Sequence, residues 1–203
     1  MKYLVITVLV VLWISCNQEN DNVSKDSNLH TIPNQFILKT DKEISIGNDV
    51  VYWRGTPFSG FLYAMDAKGK DTISIEGYLN GQLEGDCKKW YGNNQKAKQL
   101  MEERSYLDGK KNGKQIAYWP NGNKRFEFRA VNDGYEGEMK EWSEDGKLFH
   151  LANFKNGQED GVQKLWYENG KIRANYVIIN GKRYGLLGTK NCKNVSDSIF
   201  IVK

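Results

Sequence analysis

Groups able to do chemistry are sparse in this chain of 203 residues, and their spacing does not gather them. A reaction centre needs a nucleophile, an acid–base pair or a metal held at fixed geometry, and the only imidazoles are those of His30 and His150. His30 stands in a polar stretch. His150 stands among mostly apolar positions, where a satisfied, partly buried ring is expected. Carboxylates recur at Glu102-Glu103, between Glu136 and Glu141, and at Glu159-Asp160. Neighbours on a strand point to opposite faces, so none of these forms a poised acid–base pair. There is no Gly-rich phosphate loop after a strand, no Cys/His spacing that suits zinc and no nucleophile elbow. The residues therefore point away from an enzyme and assign no catalytic group, metal ligand or cofactor.

The cysteines are Cys16, Cys87 and Cys192. In an exported protein the last two would invite a disulfide. The repeat register described next places them about eight strands apart, roughly 40 Å at ~4.8 Å per strand, against less than ~7 Å between the α-carbons of a bridge. Only a closed array would bring them together.

What must position any functional side chain here is a repeat. Asn-Gly or Asp-Gly recurs at Asn80-Gly81, Asp108-Gly109, Asp133-Gly134, Asn156-Gly157 and Asn180-Gly181, at intervals of 23 to 28 residues. Both residues of such a pair suit the centre of a type I′ turn, so each predicts a tight reversal between strands. Units opening at Gly113, Gly137 and Gly161 carry a second reversal at Asn121-Gly122, Asp145-Gly146 and Asn169-Gly170. Strand, turn, strand, turn makes an antiparallel meander. A looser unit precedes these from Thr56, and the unit from Gln82 has about four extra residues near positions 93–99. A sixth unit begins at Gly185 with Lys190 where an aromatic is expected. Val50 to Trp53 is expected to supply the capping strand at the other end.

Five residues after each opening glycine stands a large aromatic: Trp90, Tyr118, Trp142 and Trp166. Alternation along a strand predicts that all four share one face and touch their counterparts in adjoining units as a ladder. In the second strands, even offsets from the mid-unit glycine are mostly apolar (Phe126, Phe128; Ala152, Phe154; Ala174, Tyr176, Ile178) and odd offsets mainly polar. Phe149 and Leu151 break this pattern. The ladder reads first as core, with ~2 to 3 kcal/mol per half-buried ring at ~25 cal/mol per Å². It reads second as a binding face for a peptide, glycan or lipid head group, because one sheet layer cannot cover it fully.

The run Gly-x-x-x-x-Trp-Tyr-x-Asn-Gly-Lys, clearest from Gly161, with Tyr and Asn-Gly closing the unit at Gly181, resembles the MORN repeat variant of bacterial tandem arrays. It is also similar to the YwqK-type antitoxin family. The resemblance covers roughly residues 56–187. It implies an all-β fold, an elongated twisted antiparallel array of tandem β-hairpins, and contact with a protein or a membrane. No catalytic residue comes with the motif.

Met1-Lys2 and the apolar run Tyr3 to Ile14 read as a secretory signal, too short for the ~20 residues of a spanning helix. Ser15-Cys16 at its end resembles the lipobox of bacterial lipoproteins, which implies lipidation of Cys16 and tethering at the cell envelope, with the outer membrane the expected location. The polar residues that follow predict a disordered arm. The expected organisation is a signal peptide at 1–15, a tether at 16–33, N-terminal capping strands at 34–55, repeats at 56–187 and a C-terminal cap or tail at 188–203. A formal charge of +4 is spread with both signs and shows no basic stripe, so nucleic acid is not an expected partner. The sequence thus predicts an envelope scaffold that binds a partner, with a toxin-neutralising antitoxin as the alternative.

Overall fold

A computed structural model of the protein describes residues 31–92 and 99–188. The expected signal, Cys16, Cys192, Lys190 and the insertion near 93–98 lie outside the described residues. The N-terminal strands are β1 (Phe36–Leu38), β2 (Ile44–Gly47), β3 (Val50–Trp53) and β4 (Thr56–Pro57). The chain continues through β5 (Gly60–Met65), β6 (Thr72–Leu79), β7 (Gln82–Leu83), β8 (Gly85–Trp90), β9 (Leu100–Leu107), β10 (Lys110–Tyr118) and β11 (Lys124–Val131). It closes with β12 (Gly134–Trp142), β13 (Leu148–Lys155), β14 (Gln158–Glu159), β15 (Gly161–Trp166), β16 (Ile172–Ile179) and β17 (Lys182–Leu186). The fold is all-β, and the tandem hairpins form one long sheet.

That sheet runs β1-β5-β6-β8-β9-β10-β11-β12-β13-β15-β16-β17, with short β7 on β6 and β14 on β13. Sequential strands are spatial neighbours, which is what two short turns per unit enforce. Every pairing is antiparallel except β1 with β5, which is parallel. The end strand of the long sheet is therefore β1, and Val50 to Trp53 does not fill that place. Residues Asn48-Asp49 (φ 50° and 61°) and Arg54-Gly55 (φ 53° and 76°) are two tight left-handed turns, and they fold β2, β3 and β4 into a separate three-stranded sheet. This small sheet docks on the first repeat through the Val51 amide, which donates to the Gly81 carbonyl at 2.9 Å. Val51, Phe58, Leu62 and Tyr78 form the buried cluster there.

Four of the five predicted turns have both central residues at positive φ: Asn80-Gly81, Asp108-Gly109, Asn156-Gly157 and Asn180-Gly181. The fifth is shifted. Asn132 (φ 48°) and Asp133 (φ 66°) occupy its centre, and Gly134 is the first residue of β12. Asn and Asp both tolerate the left-handed region, so the Asn132-Asp133 pair supplies the turn without glycine. The mid-unit reversals are of another kind. Gly122, Gly146 and Gly170 have positive φ but the preceding Asx residues do not. Each is a type I turn followed by a left-handed glycine, closed by Gly122 N to Trp119 O (2.9 Å) and its equivalents at Gly146 and Gly170. Here the Asx side chain acts as an acceptor, with Asn121 Oδ1 and Asn169 Oδ1 each taking an amide two residues on at 3.0 Å.

Successive type I′ turns are joined along their edge by backbone bonds. Gly109 N donates to Leu83 O, Asp133 N to Lys111 O and Gly157 N to Tyr135 O, at 2.9 to 3.0 Å. Carboxylates add to this edge, since Glu84 accepts the Asp108 amide and Glu136 the Asn156 amide at 2.9 and 2.8 Å. Within the repeats, the covered positions include Ala130, Ala152 and Ala174 together with the longer Gln115, Ile116 and Gln163.

A Cβ at Gly109 or Gly157 meets nothing closer than ordinary contact, so replacement by Ala carries only the conformational cost of the left-handed region. Gly109→Ala and Gly157→Ala are each expected to lose about 1–2 kcal/mol in urea denaturation. Gly92→Ala, at ordinary φ and in open space, is expected to change stability by less than about 0.5 kcal/mol.

Candidate binding face

The four aromatics occupy equivalent places in the structure, and a shared irregularity puts them there. In each hairpin the register shifts just before the aromatic: between Lys89 and Trp90, Ala117 and Tyr118, Glu141 and Trp142, and Leu165 and Trp166. The partner strand supplies the extra residue, namely Met101, Arg125, Phe149 and Arg173 in turn, so Trp90 pairs with Leu100, Tyr118 with Lys124, Trp142 with Leu148 and Trp166 with Ile172. A bulge bends the strand and re-aims its side chains. It also explains why Phe149 broke the apolar alternation: it is the bulge residue and is 37% exposed.

The expected ring-on-ring ladder is not what joins them. Each unit contributes two strands, so equivalent aromatics are two strands apart, roughly 9.6 Å, beyond the ~4.5–7 Å of a ring pair. The close ring pairs of this stretch run Phe126–Phe128, Phe128–Tyr135 and Tyr135–Phe154, at centroid distances of 5.8, 4.5 and 4.8 Å. Between the spaced aromatics the intervening strand inserts a filler. Lys124 is paired with Tyr118 and holds its Nζ 5.6 Å from the centroid of Trp142.

The contact that does run from unit to unit was not foreseen from the sequence. It comes from the residue after each aromatic. Tyr91 donates its hydroxyl to the Tyr118 carbonyl at 2.8 Å, and Trp119 Nε1 donates to the Trp142 carbonyl at 2.9 Å. The dipeptides Trp90-Tyr91 and Tyr118-Trp119 thus pair a displayed ring with a stapling ring, and that adjacency was the available signal. Ser143 stands at the corresponding place in the next unit and bonds its own turn instead, at Lys147 O. Beside these, Asn121 and Asn123 both donate to the Glu144 carbonyl of the following turn, at 2.6 and 2.9 Å.

The resulting edge combines rings and cations. Trp90, Tyr118, Trp142 and Trp166 are half-buried, and Tyr167 is exposed. Guanidinium groups lie over neighbouring rings: Arg125 over Trp119 at 5.0 Å, Arg173 over Tyr167 at 6.0 Å and Arg104 over Phe126 at 4.6 Å. Each such contact is worth about 0.5–1 kcal/mol at an exposed site.

Many polar groups elsewhere are tied into the sheet, although Trp53 Nε1 and the Oε1 atoms of Gln115 and Gln163 are buried without a hydrogen-bond partner. Glu102 and Glu103 diverge to opposite faces, Glu102 onto Lys89 at 2.9 Å and Glu103 onto Lys88 at 3.0 Å. These hydrogen bonds raise both lysine pKa values. His150 Nδ1 meets Glu141 Oε2 at 2.7 Å in a partly buried pair. Gln115 and Gln163, both two residues after an opening glycine, are buried and donate Nε2 to the carbonyls of Ser105 and Asn153 at 2.8 and 2.7 Å. Cys87 occupies the same place in its unit, and burial pushes its thiol up to about 11. Lys114, Glu127, Arg129, Glu138 and Lys140 line an open depression of about 380 Å³ on the charged face. Among the described residues no group of three or more His, Cys, Asp or Glu side chains is placed to hold a metal.

With this geometry in hand, two stretches of the chain, residues 135–156 and 159–176, match the model of the MORN repeat variant. They coincide with the units that open at Gly137 and Gly161, so those two units are similar to that repeat. No curated protein matches the chain.

Removing the staple without removing the ring tests its weight. Trp119→Phe and Tyr91→Phe are each expected to lower stability by about 1 kcal/mol, the net value of one such hydrogen bond, read from the urea midpoint. The thiolate is the reactive form, so buried Cys87 is expected to resist iodoacetamide at pH 8 in the folded protein. Peptide mapping should show it alkylated within minutes after unfolding in urea.

Proposed function

We propose that this chain is a non-catalytic, envelope-tethered scaffold that binds a protein partner along the edge bearing Trp90, Tyr118, Trp142 and Trp166. The observation that carries the reading is the phase of the register shifts, which gives each unit one half-buried ring at the same place. A stapling hydrogen bond and a cation–ring contact hold that edge in shape without covering it. Aromatic and Arg side chains together are the composition enriched at the centre of protein interfaces. Regular spacing lets several weak contacts act at once, and binding through repeats needs no acid, base or metal. The MORN units support a binding role at the coarser level; lipidation at Cys16 supplies the tether in this proposal.

Capture from an envelope extract tests it, using the full chain against a Trp142→Ala/Trp166→Ala variant whose circular dichroism shows it folded. Recovery of the bound partner is expected to fall at least tenfold, as for loss of two interface rings at more than ~1 kcal/mol each. Undiminished recovery would remove this edge from the proposal. Cys16→Ser is expected to release the protein from the membrane fraction. Mass spectrometry finding an intact, unmodified Met1 would turn the reading toward a toxin-neutralising antitoxin instead.

A further inference from the structure

Asn-Gly is the pair in which an asparagine side chain is most readily attacked by its own backbone, because glycine has no Cβ to hinder the approach of its amide nitrogen to Cγ. The chain holds six such pairs, beginning at Asn80, Asn112, Asn121, Asn156, Asn169 and Asn180. As dipeptides they are equals. They differ in what the glycine amide is bonded to.

Four of these amides are held. Gly81 N donates to Phe58 O at 2.6 Å and Gly157 N to Tyr135 O at 3.0 Å, each reaching a segment outside its own turn. Gly122 N and Gly170 N donate to Trp119 O and Tyr167 O, at 2.9 and 2.8 Å, and so close the mid-unit turns. A donated N–H keeps its proton against the deprotonation that attack needs, and it fixes the peptide plane that would have to rotate. Asn112-Gly113 lies inside β10 with a paired strand on either side, and a Cβ at Gly113 would press on Ser105 at 3.1 Å.

Asn180-Gly181 is the exception. Elsewhere the repeat gives the equivalent amide an acceptor two residues past the centre of the preceding type I′ turn, Leu83 O for Gly109 and Tyr135 O for Gly157. The corresponding carbonyl for Gly181 is that of Glu159. That bond is not made, and among the described residues the Gly181 amide has no other backbone acceptor. Asn180 and Gly181 are both exposed, and a Cβ built on Gly181 meets nothing within 4 Å. Exposure alone does not single the pair out, because Asn156 and Gly157 are exposed too. The free amide does.

We infer that Asn180 is the deamidation site of the folded protein, a place where the chain modifies itself with water as the co-reactant. The Gly181 nitrogen bonds to Cγ of Asn180, the Cγ–Nδ2 bond breaks, and the side-chain amide leaves as ammonia with the proton that the glycine nitrogen gave up. Water then opens the five-membered imide at either carbonyl, which yields aspartate or its β-linked isomer. One water is taken up and one ammonia lost, with no oxidation. Both products add a negative charge to the turn. The β-linked one also lengthens the main chain by a carbon where two left-handed residues must fit. This goes beyond the binding role and does not depend on it.

Peptide mapping of the full chain by mass spectrometry, after incubation in mildly alkaline buffer, reads all the pairs in one sample. In the folded protein Asn180 is expected to exchange its amide for a hydroxyl at least about fivefold faster than any other Asn-Gly, the factor set by one net hydrogen bond. In urea, where every glycine amide is free, the rates are expected to converge. A smaller lead in the folded protein, or a faster reaction at another pair, would overturn the inference. So would the same lead in urea, since it would trace the preference to flanking residues and not to the turn.

Discussion

Each hairpin of this protein is anchored to the next by hydrogen bonds, because among the described residues the only second sheet is the small one at the N-terminal end. The type I′ edge shows the constraint most directly. Amides at Gly109, Asp133 and Gly157 find their acceptors two residues past the preceding type I′ turn, at Leu83, Lys111 and Tyr135. A single unit taken alone would leave these groups to water and its apolar face bare, and an isolated hairpin is marginal at best. Neighbours therefore supply one another's stability, as in other repeat arrays. The ends must then be handled separately, and the contiguous apolar core of Val51, Phe58, Leu62 and Tyr78 sits where the small N-terminal sheet covers the first repeat.

The two edges of the array divide the work. At the type I′ edge the joins are backbone to backbone, reinforced by Glu84 and Glu136. At the mid-unit edge they are made by side chains, with Tyr91, Trp119, Asn121 and Asn123 reaching carbonyls of the following unit. A side-chain join can vary between units without breaking the sheet, as Ser143 demonstrates. The bulges lie at this same edge and turn one ring per unit partly outward. The edge proposed to bind a partner is thus the one whose chemistry the backbone does not dictate.

The polar interior follows from the same geometry. Gln115 and Gln163 are buried at a position where Cys87 and Met139 also serve. The amides reach the carbonyls of Ser105 and Asn153. A single sheet layer offers little apolar volume, so a side chain that both fills space and bonds its neighbouring strand is well suited there.

Asn-Gly and Asp-Gly fixed the meander and its antiparallel order, since positive φ at two successive residues admits few alternatives. The opening glycines fixed the phase of the aromatics. Nothing local distinguished Asn132-Asp133 from Asp133-Gly134 as the centre of the third turn, because all three residues accept the left-handed region and the pairing of β11 with β12 made the choice. The sequence also could not reveal that Lys124 would stand between Tyr118 and Trp142. Alternation along one strand says which way a side chain points, whereas the distance between equivalent rings depends on the strand lying between them and on bulges that only the paired sheet creates.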